Sequence, residues 1–398
     1  MASLYQNTQR TRKIIVGVLI FFVLVLLFNL YRNLTAEPLV DVIPNSQRFY
    51  VNLNRIFGDV PSPEIPGIEY NQDATFSLDG IHFLNDFPDV AFVYAIEQPR
   101  ERLLSISEAQ DTATALGFVG SSYTKSGTVL TWLASNGTKT LTYDLASRKW
   151  SLETRFLDNE AALARKNLLD GNNLVELESA YEKLGSRIIS GFKLTGLGLD
   201  DVDVNATIAQ KGIDGFLTEV NKLADAEYVH MAISRVMAVS ALKPRSEQPE
   251  GVAPEAPEPV KVYSDDPRDG QITLLISNQL KSFATDVFEF NFTDFEYDEL
   301  STGIYSIITP DEAWSNVQKG QGALTFIEKQ DSNYFAEYSS VNVRRFNAVA
   351  QQTELALYEP DNWYGYAIPI YVFRGTAQLE DGQLANFIFY ADAIKRVI

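Results

Sequence analysis

An unbroken apolar run near the start of the chain constrains the protein more than any other feature. Residues 14–31 read IIVGVLIFFVLVLLFNLY, with Asn29 as the one polar side chain. An α-helix rises about 1.5 Å per residue, so a helix of this length nearly spans a hydrocarbon core of about 30 Å. The run exceeds the roughly 7–15 apolar residues of a cleaved signal peptide, which is the competing interpretation. The sequence therefore predicts a transmembrane helix over residues 14–32 that contacts the lipid bilayer, marked by Ile14, Phe21, Phe22, Leu27 and Tyr31.

The charges on either side of this run predict its orientation. Three basic residues precede it, whereas one basic residue and then two acidic residues follow it: Arg10, Arg12 and Lys13 before, Arg32, Glu37 and Asp41 after. Positive charge favours the cytoplasmic side of a membrane segment. We therefore expect a single-pass protein of the cell membrane, with a cytoplasmic N-terminus and an extracytoplasmic bulk.

The charge and composition of the remaining chain exclude several classes of function. The chain has 33 Lys and Arg against 52 Asp and Glu, and because four of the basic residues lie in residues 1–32, the rest carries 29 minus 52, or −23. Such a surface repels phosphate backbones, so no nucleic-acid partner is expected. Cysteine is absent and histidine occurs only as His82 and His230, which removes thiolate chemistry and limits metal sites. No catalytic, cofactor-binding or metal-binding residue, and no small-molecule substrate, is assigned.

Helix caps and turn residues predict an α+β fold with capped helices on antiparallel sheet. A capping box at residues 105–108 opens a predicted helix over 106–116, and a second box at 309–312 opens one that ends near Gln318. Strands are predicted at 89–97, at both sides of the Asn136-Gly137 turn, and at the end of the chain. Residues 287–297 predict one long bent strand.

The same signals divide the chain into six segments. They are a cytoplasmic tail 1–13, the transmembrane helix 14–32, a stalk 33–62, a first α+β domain 63–157, a middle α+β region 158–300 with a helical connector and an acidic Pro-rich loop 244–267, and a C-terminal α+β domain 301–398.

Two stretches resemble a known family. The segment ISEAQDTATALGF, with the following hairpin and TLTYDLASRKW, resembles a PepSY-type module. The C-terminal stretches TPDEAW, TELALYEP and YAIPIYVFRGTAQLEDGQLANFIFYADAI resemble the final domain of YycH/YycI-type proteins. That resemblance implies PepSY-like units and a non-enzymatic, single-pass membrane protein that regulates a sensor kinase. It supplies no catalytic residue.

Two short motifs allow a structural and a functional interpretation. Asp201, Asp203 and Asn205 have the D-x-D-x-N start of a calcium loop, but Ala206 and Gly212 stand where a glycine and a glutamate belong. The sequence favours a structural turn there and leaves a bound cation open. Both histidines are interpreted as structural or surface residues.

The loop EPDNWY is the best candidate for a contact with a partner. Its turn residues place Trp363 and Tyr364 in a loop, and tryptophan and tyrosine dominate interface hot spots. The preferred hypothesis is a non-enzymatic extracytoplasmic module that binds a membrane or envelope protein, such as a sensor kinase, a protease or an envelope assembly. One alternative is an envelope hydrolase or glycan-binding protein that uses carboxylates and this loop. Another is a structural subunit of a secretion or pilus complex.

Overall fold

Alternating apolar and polar residues produce strands along most of the described chain. In residues 139–144, for example, every second side chain is buried, from Lys139 through Leu141 to Tyr143, as expected where one face of a sheet meets the core. The computed structural model describes parts of the unit Arg48–Ile398, namely residues 49–51, 53–80, 87–100, 105–135, 137–154, 183, 185–186, 188–190, 202–212, 217–222, 225–238, 242–244, 259–277, 286–293, 295–329 and 335–396.

The strands and helices have the following bounds. The first strands are β1 Phe49–Val51, β2 Glu69–Tyr70, β3 Thr75–Asp79, β4 Val90–Ile96, β5 Tyr123–Ser126, β6 Val129–Leu133, β7 Lys139–Asp144, β8 Lys149–Thr154, β9 Val202–Lys211, β10 Leu217–Glu219 and β11 Tyr228–Ala238. The later strands are β12 Leu242–Pro244, β13 Pro259–Tyr263, β14 Ile272–Ser277, β15 Val287–Thr293, β16 Tyr297–Ser306, β17 Ala323–Lys329, β18 Ser340–Val341, β19 Val343–Val349, β20 Glu354–Tyr358, β21 Tyr366–Leu379 and β22 Leu384–Asp392. The helices are α1 Ser105–Ala115, α2 Pro310–Gln318 and the 3-10 helix Ala350–Gln352, and the described residues between 183 and 190 are also helical.

An antiparallel sheet forms the first half of this unit. Its strands pair in the order β5, β6, β7, β8, β15, β14, β11, β9, β10. Helix α1 packs on one face through Ala109 and Ala113, which join Trp132, Leu274 and Met231 in one buried cluster. Ile188 and Ile189, which are also helical, belong to the same cluster, so this core packs α1 and further helical residues on a wide sheet.

A mixed sheet forms the second half. Strand β22 pairs with β17 and β21, and β21 also pairs with β20, β19 and β4. Strand β19 pairs in parallel with β3, and β4 pairs with β16. Trp314 of α2 packs on this sheet at 5.1 Å from the ring of Phe373. The capping box of α2 is formed as predicted, because Thr309 and Glu312 each accept the other's backbone N–H.

The two sheets join where strands change partners. Residues Tyr228–Ile233 of β11 pair with β14, and residues Val236–Ala238 pair with β13. Strand β13 then pairs in parallel with β20 of the mixed sheet. Gly270, just before β14, packs directly against the backbone of β11. An added Cβ at this position would stand 2.3 Å from the carbonyl oxygen of Ile233. This junction positions the candidate site.

The predicted α+β fold of PepSY-like helix-on-sheet units is wrong. Strands make up 53% of the described residues and helices only 12%. Both predicted helices exist, but they are short, and distant strands build the sheets: β8 pairs with β15 and β4 with β21. Strand pairing over such separations leaves no local trace in the sequence. The predicted boundaries at residues 62, 157 and 300 stay a prediction, although the β8–β15 pairing runs across the boundary at 157 and the β4–β21 pairing across those at 157 and 300.

Two further sequence predictions are wrong in part. The single strand expected over 287–297 is two strands, because β15 joins β8 and β14 whereas β16 joins β4. Part of the Pro-rich loop 244–267 is strand β13. The predicted transmembrane helix at 14–32 lies outside the described residues. Within the described ranges, no helix is both long and apolar enough to cross a membrane.

Candidate functional site

The connection between β20 and β21 is a surface loop whose base is buried. We call residues 359–365 the Trp363 loop. At its start, the backbone N–H of Glu359 donates to the carbonyl oxygen of Tyr263 at 2.9 Å. The carboxylate of Glu359 accepts from Nη1 of Arg235 at 3.1 Å and from the hydroxyl of Tyr297. Glu359 is 3% exposed and Arg235 is fully buried. The loop therefore begins at a buried ion pair.

Arg235 occupies the point where β11 changes partner. Its backbone N–H lies between the part of β11 that pairs with β14 and the part that pairs with β13. This N–H donates to Oε1 of Gln271 at 2.7 Å. Its Nη2 donates to the carbonyl oxygen of Phe295 at 3.0 Å, and the guanidinium lies 5.0 Å from the ring centroid of Tyr297. Burial and the neighbouring carboxylate raise the pKa of Tyr297, so its phenol remains a donor to Glu359. One arginine thus ties β11, the β15–β16 connection and the Trp363 loop together.

The far end of the loop is fixed to other strands. The indole Nε1 of Trp363 donates to the carbonyl oxygen of Ile96 at 3.1 Å, and the N–H of Ile96 donates to the carbonyl oxygen of Gly365 at 2.9 Å. The hydroxyl of Tyr364 donates to the carbonyl oxygen of Pro61 at 2.6 Å. Gly365 has φ of +96°, a conformation that favours glycine. Both ends of the loop are therefore held in place.

Trp363 is nevertheless exposed. Its side chain is 43% accessible, whereas Trp132, Trp150 and Trp314 are 0%, 6% and 4% accessible. An exposed aromatic ring that is already ordered loses little conformational entropy when a partner covers it. The structure thus presents one of the two predicted contact residues as an exposed ring, and it directs the hydroxyl of the other, Tyr364, onto Pro61.

The sequence did not identify Glu359 or Arg235 as part of this site. A buried arginine in an apolar strand is a signal, because arginine is almost never fully buried without a partner. The residues lie 124 positions apart, and the sequence gives no means of matching them.

A polar cleft lies beside the sheet junction, with a volume of about 360 Å³. Its carboxylates are paired with cations: Asp203 with Lys261 at 2.9 Å and Glu354 with Arg374 at 2.9 Å. This arrangement suits binding of a charged group.

Of the other residues considered from the sequence, Asp203 and Asn205 line this cleft. Asp203 and Asn205 belong to strand β9, so the predicted turn is wrong, and Asp201 and His82 lie outside the described residues. His230 lies in β11, 13% exposed, with Nε2 3.8 Å from Oδ1 of Asp269. Burial lowers the pKa of His230 to about 4. In the described part of the chain, no three acidic or histidine side chains come together to hold a metal ion.

Comparisons with known proteins add a likeness to solved structures. No protein-family model and no curated protein matches the chain. It is similar to the crystal structure of an uncharacterized protein from Eubacterium rectale ATCC 33656, at 11% sequence identity, over 81% of this chain and 90% of that chain, with a TM-score of 0.36. At this TM-score the likeness says nothing about function.

Proposed function

We propose that the chain is a non-enzymatic, membrane-anchored interaction protein whose Trp363 loop binds another membrane or envelope protein outside the cytoplasm. The observation that carries the proposal is the exposed indole of Trp363, fixed through Ile96 and Gly365. Interface hot spots are enriched in tryptophan, and their energy depends on an anchor that is ordered before binding.

The buried ion pair at the base of the loop supports a positioning role. Transfer of Arg235 and Glu359 out of water carries a desolvation penalty that their mutual attraction often only balances. A pair of this kind adds little net stability, but it fixes the direction in which the chain leaves β20. We infer that it holds the Trp363 loop in its binding conformation.

The anchor and the partner class rest on the sequence. The apolar run at residues 14–31 and the basic residues before it support a single membrane pass with the body outside the cytoplasm. A sensor kinase, a protease or an envelope assembly fits that location, and the resemblance to membrane regulators of the YycH/YycI type favours the first.

Site-specific crosslinking tests this proposal. A photoreactive amino acid replaces Trp363 in the full-length protein, in its native membrane, and the adducts are identified by mass spectrometry. The matched control places the same amino acid at Leu384, which is 44% exposed on the β21–β22 hairpin. We expect one discrete adduct from position 363 and none from position 384. Equal, diffuse labelling from both positions would contradict the proposal.

A further inference from the structure

The polar cleft is bounded by strands on both sides of the sheet junction. Asp203 extends from β9, Lys261 and Tyr263 from β13, Glu354 from β20 and Arg374 from β21. At about 360 Å³ it has the size of a small-molecule site, and four of its nine lining residues are charged. A ligand of this cleft is therefore small and polar.

Arg374 has donors that no described residue accepts. Strand β21 changes partner at this residue, since Ile368–Val372 pair with β20 and Gly375–Leu379 pair with β19. Its Nη2 contacts both Oε1 of Glu354, at 2.9 Å, and the hydroxyl of Tyr263, at 2.5 Å. Among the residues that the structure describes, no acceptor faces Nε or Nη1. The side chain is 32% exposed, so a ligand can reach it.

Lys261 supplies a second cation. Its Nζ lies 2.9 Å from Oδ2 of Asp203 and 5.0 Å from the ring centroid of Tyr263. The guanidinium of Arg374 lies 5.8 Å from the same centroid. The two cations are therefore at most about 11 Å apart. An ammonium has three N–H donors, of which Asp203 takes one.

Tyr263 and Glu354 hold the guanidinium in this position. The phenol donates to Glu354 and accepts from Arg374. Burial, together with the carboxylate, raises the pKa of Tyr263, so the phenol stays neutral and does not compensate either cation. These two side chains are positioning residues, and the binding donors are those of Arg374 and Lys261.

We propose that this cleft binds the carboxylate of a small organic acid or of a peptide C-terminus, between Arg374 and Lys261. Charge-assisted hydrogen bonds from a guanidinium and an ammonium are the contacts that bind such a group most strongly. The carboxylates of Asp203 and Glu354 already balance the formal charge of the two cations. They repel a dianion such as phosphate more than a monoanion, which favours a carboxylate.

Calorimetric titration of the full-length protein in detergent tests the proposal. The probes are the monocarboxylate propionate, the peptide Ala-Ala-Ala, the same peptide with an amidated C-terminus, and inorganic phosphate. Binding of propionate alone identifies a free organic acid as the source. Binding of Ala-Ala-Ala that is lost on amidation identifies a peptide C-terminus. Either result supports the carboxylate site.

Variants locate the binding. Arg374→Gln and Lys261→Gln are each expected to weaken binding of the successful probe about tenfold or more. The control is Arg344→Gln, which makes the same charge change at an exposed position in β19 and should alter affinity less than twofold. Lys261→Gln keeps the test valid if Arg374→Gln fails to fold. The proposal is overturned if neither probe binds, if phosphate binds more tightly, or if the cleft variants bind like the control.

Discussion

Arg235 and Glu359 form a buried ion pair at the point where one strand leaves its first partner. Nη1 and Oε2 are 3.1 Å apart, and the side chains are 0% and 3% exposed. Strand β11 still pairs with β9 here, but on its other side the ladder with β14 ends at Ile233 and the ladder with β13 begins at Val236, so the side chain of Gln271 takes the backbone N–H of Arg235. The ion pair lies at this break and sets the start of the Trp363 loop.

Removal of one member of this pair should be strongly destabilising. We expect Glu359→Gln to lower the free energy of unfolding by about 3–5 kcal/mol, because the charge of Arg235 stays buried without its counterion. The control, Glu354→Gln, breaks a pair that is 32% and 41% exposed and should cost about 1 kcal/mol or less. Urea denaturation of the full-length protein measures both. Equal costs would show that the Arg235–Glu359 pair contributes no more than a surface pair.

A hydrophobic replacement of the whole pair separates stability from positioning. We expect Arg235→Met combined with Glu359→Leu to recover most of the stability lost in Glu359→Gln, since no buried charge remains. The same double variant should lower the crosslinking yield from position 363, because the base of the loop is no longer fixed. An unchanged crosslinking yield would show that the ion pair does not position the Trp363 loop.

Loss of the hydroxyl should change the free energy of unfolding in opposite directions at two buried tyrosines. In the described part of the chain, no partner faces the hydroxyl of Tyr390, so Tyr390→Phe is expected to raise the free energy of unfolding by about 1 kcal/mol. The hydroxyl of Tyr371 donates to the carbonyl oxygen of Ile308 at 2.8 Å, so Tyr371→Phe should lower it by about 1 kcal/mol. The denaturant midpoints of the two variants measure both changes in stability. If both variants are less stable than the wild type, the hydroxyl of Tyr390 has a hydrogen-bond partner.

His230 should make stability depend on pH in the acidic range. Burial and the nearby Arg268 lower its pKa to about 4, with Asp266 opposing, whereas an unfolded histidine titrates near 6.5. Between these values the unfolded chain binds a proton that the folded chain does not, so stability falls as the pH decreases from about 6.5 to 4. The full effect is up to about 3 kcal/mol.

The comparison with His230→Gln isolates this effect. Asp269 lies 3.8 Å from Nε2 of His230, and burial and Asp266 raise its pKa to about 7, but this contribution is present in both proteins. We expect the stability of the wild type relative to the variant to decline from pH 7 to pH 4. A relative stability that rises instead would mean that protonated His230 pairs with Asp269.

The sequence predicted local elements better than their assembly. Helix α2 was predicted because Thr309, Pro310 and Glu312 are adjacent and specify a cap by themselves. Strand β4 was predicted from its β-branched and aromatic residues. That β4 pairs with both β16 and β21 depends on contacts more than 200 residues away for both strands. The α+β fold class was wrong because capping boxes mark helices clearly, whereas most sheet partners have no local marker.

At the candidate site, too, the sequence predicted local features better than the contacts between distant residues. Trp363 and Tyr364 were found because turn residues and aromatic residues coincide in one short stretch. Glu359 looked like one more carboxylate among many, and only its burial against Arg235 distinguishes it. Arg374 and Lys261 were not singled out, because the cleft between them exists only once β13, β20 and β21 have paired.

The exposure of Trp363 can be measured directly in the protein. The other three tryptophans are at most 6% exposed, so acrylamide should quench mainly the emission of Trp363. We expect Trp363→Phe to remove most of the quenching, and to change the free energy of unfolding by about 1 kcal/mol, because one hydrogen bond to Ile96 is lost. The control is Trp132→Phe, which loses a partly buried hydrogen bond to Gln110 at 3.1 Å but should leave the quenching intact. Quenching that persists in Trp363→Phe would place this indole inside the protein and remove the basis for its role as a partner contact.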